Sequence, residues 1–355
     1  MKVDLDPAAA AEWDRQDGFP SHVVKQLATA GCFGTDIPPL ELGELSARIG
    51  GVCSSVRGLL TVQAMVAAAL SRWGTAAQRA QWLPALAGGD HIAGFCATEL
   101  DAGSDLTEVR TRIDQTGDTL TISGTKRWVT CGEIATVYLV LGVLDGKATT
   151  VLVEADRPGV TTERVSDQLG MRAARIAHVR FDSVRVPVTN QIAPAGFGLS
   201  HVVSTALDHG RFTVAWGCVG MAEACLHDAA RHAVRRTQGK TVLSSHQLVQ
   251  ATLARASVEV ESARQLCVAA AVSRSDRSPD AIARTVMAKY AAARAAAVVS
   301  QNAVQVLGSA GCAPDSRAGR FFRDAKVMQI IEGSDEVSEL HIAGHLLRRF
   351  ARETT

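Results

Sequence analysis

Residues 118–130 read DTLTISGTKRWVT. The run is short, rich in β-branched residues and opens on Asp118, which suits a pleated strand better than a helix. Similar runs follow: TVYLVLGVL at 136–144, TTVLVEA at 149–155 and HVRFDSVRVP at 178–187. Gly, Asp or Pro bounds each of them. Together they predict antiparallel strands of a small barrel or sandwich, in a middle region of residues 93–197.

Helical spacing surrounds that region. ELGELSARIGGVCSSVRGLLTVQAMVAAAL, 41–70, carries apolar residues at helical intervals, and Gly50–Gly51 should interrupt it. TAAQRAQWLPALAGGD, 75–90, opens on Thr75 as a cap and closes on Gly88–Gly89. Beyond Pro194 no proline occurs until Pro279, and long Ala-rich amphipathic segments fill 201–236, 245–274 and 279–308. Pro279 suits an early helical position, and Gly308 and Gly311 suit a helix end. The expected fold is mostly α with a central β domain. It divides into an N-terminal helical domain (1–92), a middle β domain (93–197) and a C-terminal four-helix bundle (198–355).

The composition narrows the function. Lys and Arg number 37 against 36 Asp and Glu, a net charge of +1, and aromatics make up 5% of the 355 residues. Neither a basic field nor a stacking surface marks a nucleic-acid or anionic-membrane partner. The apolar stretches are broken by polar residues short of a membrane span, and the N-terminus lacks the pattern of a secretory signal. The eight cysteines form no C-x-x-C pair and no histidine cluster has zinc spacing, so reduced thiols, a cytoplasmic setting and no metal are expected.

Chemistry-bearing residues gather in a few segments. GFCATELDAGSDLTEVRTR, 94–112, places Thr98, Glu99, Gly103, Ser104 and Asp105 in a loop that could present N–H groups and hydroxyls to a phosphate or a polar ring edge. KRWVTCG, 126–132, sets Trp128 and Thr130 two apart, on one side of a strand, where they could cover a flat heterocycle. RRTQGKTVLSSHQLV, 235–249, gathers Arg235, Arg236 and Lys240 near His246–Gln247, and an arginine there could pair with a pyrophosphate. RDAKVMQIIEGSDEV, 323–337, puts Glu332 after Ile330–Ile331 and before Gly333. A carboxylate desolvated by isoleucines has a raised pKa, which suits a general base. Taken singly, each segment also fits an ordinary turn, sheet tryptophan or helix end.

Taken in order, ATELDAGSD, KRWVTCG, RDAKVMQIIEGSDEV and the helix–strand–helix sequence resemble the acyl-CoA dehydrogenase family, from about Leu45 to Ala343. The resemblance implies FAD as cofactor and an acyl thioester on CoA or an acyl carrier protein as substrate. Glu332 matches the base that removes the α-proton while a β-hydride passes to flavin N5. Phe95, Ala97 and Thr98 match the lining of the flavin pyrimidine. Gly103 and Ser104 match a loop contacting flavin or the thioester arm. Trp128 and Thr130 match residues at the isoalloxazine face and its N5 edge. Gly333, Ser334 and Glu336 match the turn near the ribityl and adenine portions. Arg236 and Gln305 resemble residues reaching a neighbouring subunit's FAD, which implies a homodimer or homotetramer. Asp208 and Arg211, in ALDHGRF, resemble an acid–arginine pair near substrate entry. The implied electron acceptor is an electron-transfer flavoprotein or oxygen.

CSSVRGLLTVQAM, TVAWGCVG and IIEGS are further similar to the acyl-ACP dehydrogenases that make hydroxymalonyl- or methoxymalonyl-ACP extender units for polyketides. Some positions depart from the family. Arg236-Thr-Gln-Gly239-Lys240 stands where Arg-x-x-Phe-Gly is usual. Ile331 replaces a common Tyr, and the N-terminal helical region is short. A flavin oxidase or monooxygenase on the same fold, a general short-chain acyl-CoA dehydrogenase, or a flavin-free scaffold for a carrier protein are the competing expectations. Glu332 argues against the oxidase.

Overall fold

The computed structural model describes residues 3–353. Its first elements are helices α1 (Pro7–Arg15), α2 (Ser21–Thr29), α3 (Pro39–Gly50), α4 (Ser54–Trp73) and α5 (Ala76–Gly88). Thr75 and Gln78 form a reciprocal capping box at the start of α5, and Gly89 closes it in the left-handed conformation, with φ +72°. Gly50 does end α3, and close packing explains the glycine. A Cβ built there would stand 2.6 Å from the Gly217 carbonyl oxygen. α4 is long and apolar enough to cross a membrane, contrary to the expectation of broken apolar runs. However, 83% of its apolar window is buried inside the protein, so it is a core helix.

The middle strands are β1 (Ala93–Cys96), β2 (Arg112–Thr116), β3 (Thr119–Val129), β4 (Val137–Leu144), β5 (Lys147–Glu154), β6 (Val160–Arg164), β7 (Ala177–Pro187) and β8 (Gln191–Ile192). They form one sheet in the order β6-β7-β3-β2-β4-β5-β8, with β1 beside β4. The sheet is mixed, which corrects the antiparallel expectation. β1 and β2 both run parallel to β4, pairing with Val137–Val140 and Val143–Leu144 in turn. β1, β2, β6 and β8 are too short to stand out by pattern alone. One face is dry: Ile113, Leu120, Ile122, Val140, Val151, Val153, Val179 and Phe181 pack together.

A short π-helical turn, Gly198–Val203, leads into α6 (Ser204–Ala233). A small hairpin, β9 (Thr237–Gln238) and β10 (Thr241–Val242), leads to α7 (Gln247–Ser275), followed by α8 (Ala281–Leu307), α9 (Arg317–Met328) and α10 (Asp335–Glu353). Pro279 lies in the turn before α8, outside the helix. Gly308, with φ +61°, ends α8. α6 is the axis of the molecule: Ala206, Phe212, Val214, Trp216, Val219, Met221 and Cys225 are all essentially inaccessible. α3, α4, α7, α8 and α9 all pack against it. Alanines on α8 (Ala288, Ala292, Ala295, Ala296) let it lie close against α6. The C-terminal region is a helical bundle as expected, and among the described residues the segment bearing Glu332 divides its last stretch into α9 and α10.

Candidate active site

Glu332 sits in the turn between α9 and α10. It has φ +56° and Gly333 has φ +95°, two successive residues in the left-handed region. A glutamate there carries strain of about 1–3 kcal/mol, so its surroundings must hold it. They do so through main-chain carbonyls. Arg211 on α6 donates Nε to the Glu332 carbonyl at 2.8 Å, and Lys289 on α8 donates Nζ to the Gly333 carbonyl at 2.6 Å. Lys289 is fully buried. Both cations thus clamp the backbone of the turn instead of the carboxylate.

The side chain turns onto α6. A Cβ built on Gly210 would stand 2.5 Å from Glu332 Oε2 and 2.9 Å from Met65 Sδ, so the missing side chain makes the space. Oε2 is buried and has no hydrogen-bond partner. Other parts of the residue keep some exposure, but the carboxyl end is enclosed. Burial pushes the Glu332 pKa up to about 7, opposed by the positive charges of Arg211, Lys289 and Arg57. The isoleucine wall expected from sequence is only half present. Ile331 packs on the core while Ile330 is 57% exposed. Gly210 and Met65 enclose the carboxylate.

The β side assembles around a buried ion pair. Lys126 on β3 donates to Glu99 at 2.6 Å and to the Ala97 carbonyl at 3.0 Å. Glu99 also accepts from Arg110 N, Thr111 N and the Thr111 hydroxyl. Burial opposes its ionisation, but the bonds from Lys126 and Thr111 outweigh that and hold its carboxyl below the usual range. These bonds fix the 97–111 loop to the sheet, and Arg127 N donates to the Thr98 carbonyl at 2.9 Å, setting Thr98 beside Trp128. Lys126→Met should lower stability by about 3 kcal/mol, at the low end for a broken buried pair, because Glu99 keeps its other donors. Chemical denaturation with an unchanged m-value checks this.

The strand argument for Trp128 and Thr130 does not hold. β3 bulges between Lys126 and Val129, Trp128 has φ +58°, and the strand ends at Val129. Lys126 is therefore fully buried while Trp128 is 56% exposed, although they are two apart. His178 supports the tryptophan, with rings edge-on at 5.6 Å and its Nδ1 accepting from Trp128 N at 3.3 Å. Thr130 turns the other way, its methyl 3.4 Å from a Cβ built on Gly58 of α4. Ala97 is buried and Phe95 packs among three apolar clusters, while Gly103 and Ser104 are exposed with the loop folded toward Thr98. An exposed indole held in a strained conformation beside Thr98 and a hydroxyl-bearing loop fits one face and edge of a flat polar heterocycle such as flavin.

The other expected residues spread further. Ser334 caps α10, its Oγ 3.4 Å from Val337 N, and the Ser334 hydroxyl keeps the exposed Glu336 carboxyl below the ordinary range. Asp335 is mostly buried and accepts from Gln329 Nε2 at 2.9 Å. Asp208 and Arg211 are not paired: Asp208 bonds Arg274 at 2.5 Å, while Arg211 holds the Glu332 turn. Arg236 and Gln305 are exposed near the far ends of α6 and α8. Counted along the helices, they lie roughly 37 and 24 Å from Arg211 and Lys289. They cannot serve the Glu332 site of the same chain. Sequence reasoning missed Arg57, Gly210 and Lys289; α4 also carries Arg72, and α8 carries Arg284 and Arg294, so neither cation stands out by pattern. Among the described residues no cluster could hold a metal ion.

Comparison with known proteins agrees with this geometry. The acyl-CoA dehydrogenase N-terminal, middle and C-terminal domain models match residues 4–90, 94–184 and 197–347. Short-chain specific acyl-CoA dehydrogenase of Mus musculus is 32% identical over 96% of this chain and 86% of its own length. The structure of FkbI, described for biosynthesis of the methoxymalonyl extender unit of the Fk520 polyketide, superposes with a TM-score of 0.89 at 38% identity, covering 96% of both chains. Butyryl-CoA dehydrogenase from Megasphaera elsdenii gives a TM-score of 0.90 at 26% identity, covering 98% of this chain and all of that one. The chain belongs to the acyl-CoA dehydrogenase family of oxidoreductases.

Proposed function

We propose that this protein is an FAD-dependent acyl-thioester dehydrogenase with Glu332 as its base. The observation that carries the reading is the Glu332 carboxylate: enclosed, without a hydrogen-bond partner, and raised to about 7 while its backbone is clamped. Such a group takes a proton from a weakly acidic carbon far better than a solvated carboxylate. Thr98, Trp128 and Thr130, with Ala97, Phe95, Gly103 and Ser104 around them, would hold the flavin ring. Gly333, Ser334 and Glu336 would approach its ribityl side. FAD, when bound, supplies the two-electron sink. Arg236 and Gln305 would contact the cofactor of a neighbouring subunit, which calls for a dimer or tetramer.

The substrate we favour is a short polar acyl group on an acyl carrier protein, in the making of hydroxymalonyl or methoxymalonyl extender units. Likeness to FkbI supports this, together with the resemblance of CSSVRGLLTVQAM to the acyl-ACP dehydrogenases. A general short-chain acyl-CoA substrate is the second reading, supported by likeness to the mouse enzyme. The oxidised form would return through an electron-transfer flavoprotein or oxygen. Anaerobic addition of CoA and carrier-protein thioesters to the FAD-loaded protein tests the reading. Bleaching of the flavin is the expected result, and its absence with every thioester overturns it. Because the base must be ionised, the reduction rate should rise with pH through about 7 and level off above. A pH-rate profile by stopped flow checks this.

A further inference from the structure

β3 and β7 pair through Lys126 with Val179 and then through Val129 with Ala177. Between those pairs Arg127 and Trp128 face one residue, His178, so the irregularity is a bulge of two against one. A bulge takes main-chain N–H groups out of the ladder, and each needs another acceptor. Arg127 N finds the Thr98 carbonyl at 2.9 Å. Trp128 N finds a side chain, His178 Nδ1 at 3.3 Å. Trp128 has φ +58°, a conformation that is strained for a bulky residue, so its surroundings must hold it. The two rings also meet at right angles, their centroids 5.6 Å apart.

The bond fixes the chemistry of the imidazole. A main-chain N–H only donates, so Nδ1 carries no proton and the proton of the neutral ring sits on Nε2. Protonating the ring would set an N–H against the N–H of Trp128, two donors with nothing to accept. The charges that act on His178 come from the strands around it. Glu163 of β6 stands opposite it in the ladder, and Arg127 lies across the bulge on β3. Arg180, two residues along β7 on the same face, is held by Asp182 at 3.4 Å. Burial and then the Arg127 guanidinium hold the ring below the ordinary histidine range, against the pull of Glu163. At neutral pH the ring is uncharged and Nδ1 accepts.

We propose that His178 is a positioning residue whose unprotonated Nδ1 latches the bulge of β3, sets the Trp128 indole as a wall for the flavin ring, and lets go in acid, so that the hold on FAD is linked to a proton. The inference rests on the dehydrogenase reading and adds to it a residue and a regulation. One bulge sets both flavin-facing elements, Trp128 directly and Thr98 through Arg127 N. The direction follows from the latch. The form that holds the indole has no proton on Nδ1, so taking one up opposes cofactor binding. Affinity for FAD therefore falls as pH falls through the His178 titration and is level above it.

Two readouts test this on the full chain. The first is the emission of Trp128, taken as the difference between wild type and Trp128→Phe before FAD is added, because an imidazolium quenches a neighbouring excited indole. The second is the dissociation constant for FAD at pH 5 and pH 8. In wild type the Trp128 emission should dim toward pH 5, and FAD should bind about threefold or more weaker there. His178→Asn keeps an acceptor near the place of Nδ1 and cannot titrate, so it should bind FAD within about twofold of wild type at pH 8 and lose both pH dependences. His178→Phe keeps a ring without the acceptor and should bind FAD about fivefold weaker at both pH values. Emission that does not change with pH, a His178→Asn chain that keeps the wild-type pH dependence, or a His178→Phe chain that binds FAD as tightly as wild type overturns the latch. Should His178→Phe fail to fold, wild type and His178→Asn still decide it. Emission that titrates in a chain that takes up no FAD at either pH removes the dehydrogenase reading and leaves the latch on Trp128. Emission that titrates while FAD affinity stays level overturns the role of His178 toward the cofactor and leaves the dehydrogenase.

Discussion

Glu332→Gln should bind FAD as the wild type does and lose substrate-driven flavin reduction by about 10²–10⁴-fold. The change is nearly isosteric and leaves the turn in place, because Arg211 and Lys289 grip main-chain carbonyls rather than the side chain. What disappears is a proton acceptor in an enclosed site. The same variant should be more stable above pH 7. The folded pKa of Glu332, about 7, lies above the ordinary 4.5. Below 4.5 the group is protonated in both states and contributes nothing. Between 4.5 and 7 the unfolded chain gives up its proton and the folded one does not, so stability falls as pH rises. Above that window the loss is constant, about 3 kcal/mol, and Gln avoids it. Denaturation of the variant and the wild type at pH 5 and pH 8 reads this directly, with a gap that is small at pH 5 and several-fold wider at pH 8. Unimpaired bleaching by the variant would remove Glu332 from the mechanism.

The combination of lost activity and gained stability separates a base from a structural acid. Lys126 and Glu99 make the contrast. There the carboxyl is held below its ordinary range by bonds made for it, so removing the partner destabilises the fold. Glu332 has no such bonds to its Oε2. One acid is buried among donors that satisfy it, and the other has a buried oxygen with no partner.

Local pattern reached the long elements well. The Ala-rich segments form α6, α7 and α8, and the β-branched runs form β3, β4, β5 and β7, because each repeats its period long enough to be unmistakable. It failed where tertiary contacts override the period. Trp128 could not be placed by alternation, since a bulge and a left-handed residue turn it outward. The Ile330–Ile331 wall was half right for a similar reason: after α9 ends, consecutive residues no longer share a face. Asp208 and Arg211 share a motif by resemblance, and the structure gives them separate partners, Arg274 from α7 for the acid and the Glu332 carbonyl for the arginine. Parallel pairing of β1 and β2 with β4 depends on chain crossings that no window of sequence contains. Gly210 was the hardest to see, since a single glycine in a long helix usually signals only reduced propensity.

Gly210→Ala is therefore the sharpest test of how the base is placed. On an exposed helix this change should stabilise, by about 1 kcal/mol of helix propensity. Here the new Cβ would stand 2.5 Å from Glu332 Oε2, 2.7 Å from its Cδ and 2.9 Å from Met65 Sδ, all closer than atoms pack. The backbone of Glu332 cannot retreat, because Arg211 and Lys289 fix it from both sides. The side chain must turn away instead, and a displacement of about 1 Å at a reacting group costs about 10²-fold in rate. Overpacking should also lower stability by about 1–3 kcal/mol, opposite in sign to the propensity effect. FAD content should be unchanged, since the new methyl faces the carboxylate and Met65. Single-turnover flavin reduction should fall about a hundredfold, with the pH profile moved as the carboxyl leaves its enclosure. Met65→Ala in the same chain frees room on one side only, so it should relieve the stability loss more than the loss of rate. A Gly210→Ala enzyme that reduces its flavin at the wild-type rate would show that Glu332 works from a different rotamer, and the placement argued for the base would have to be abandoned.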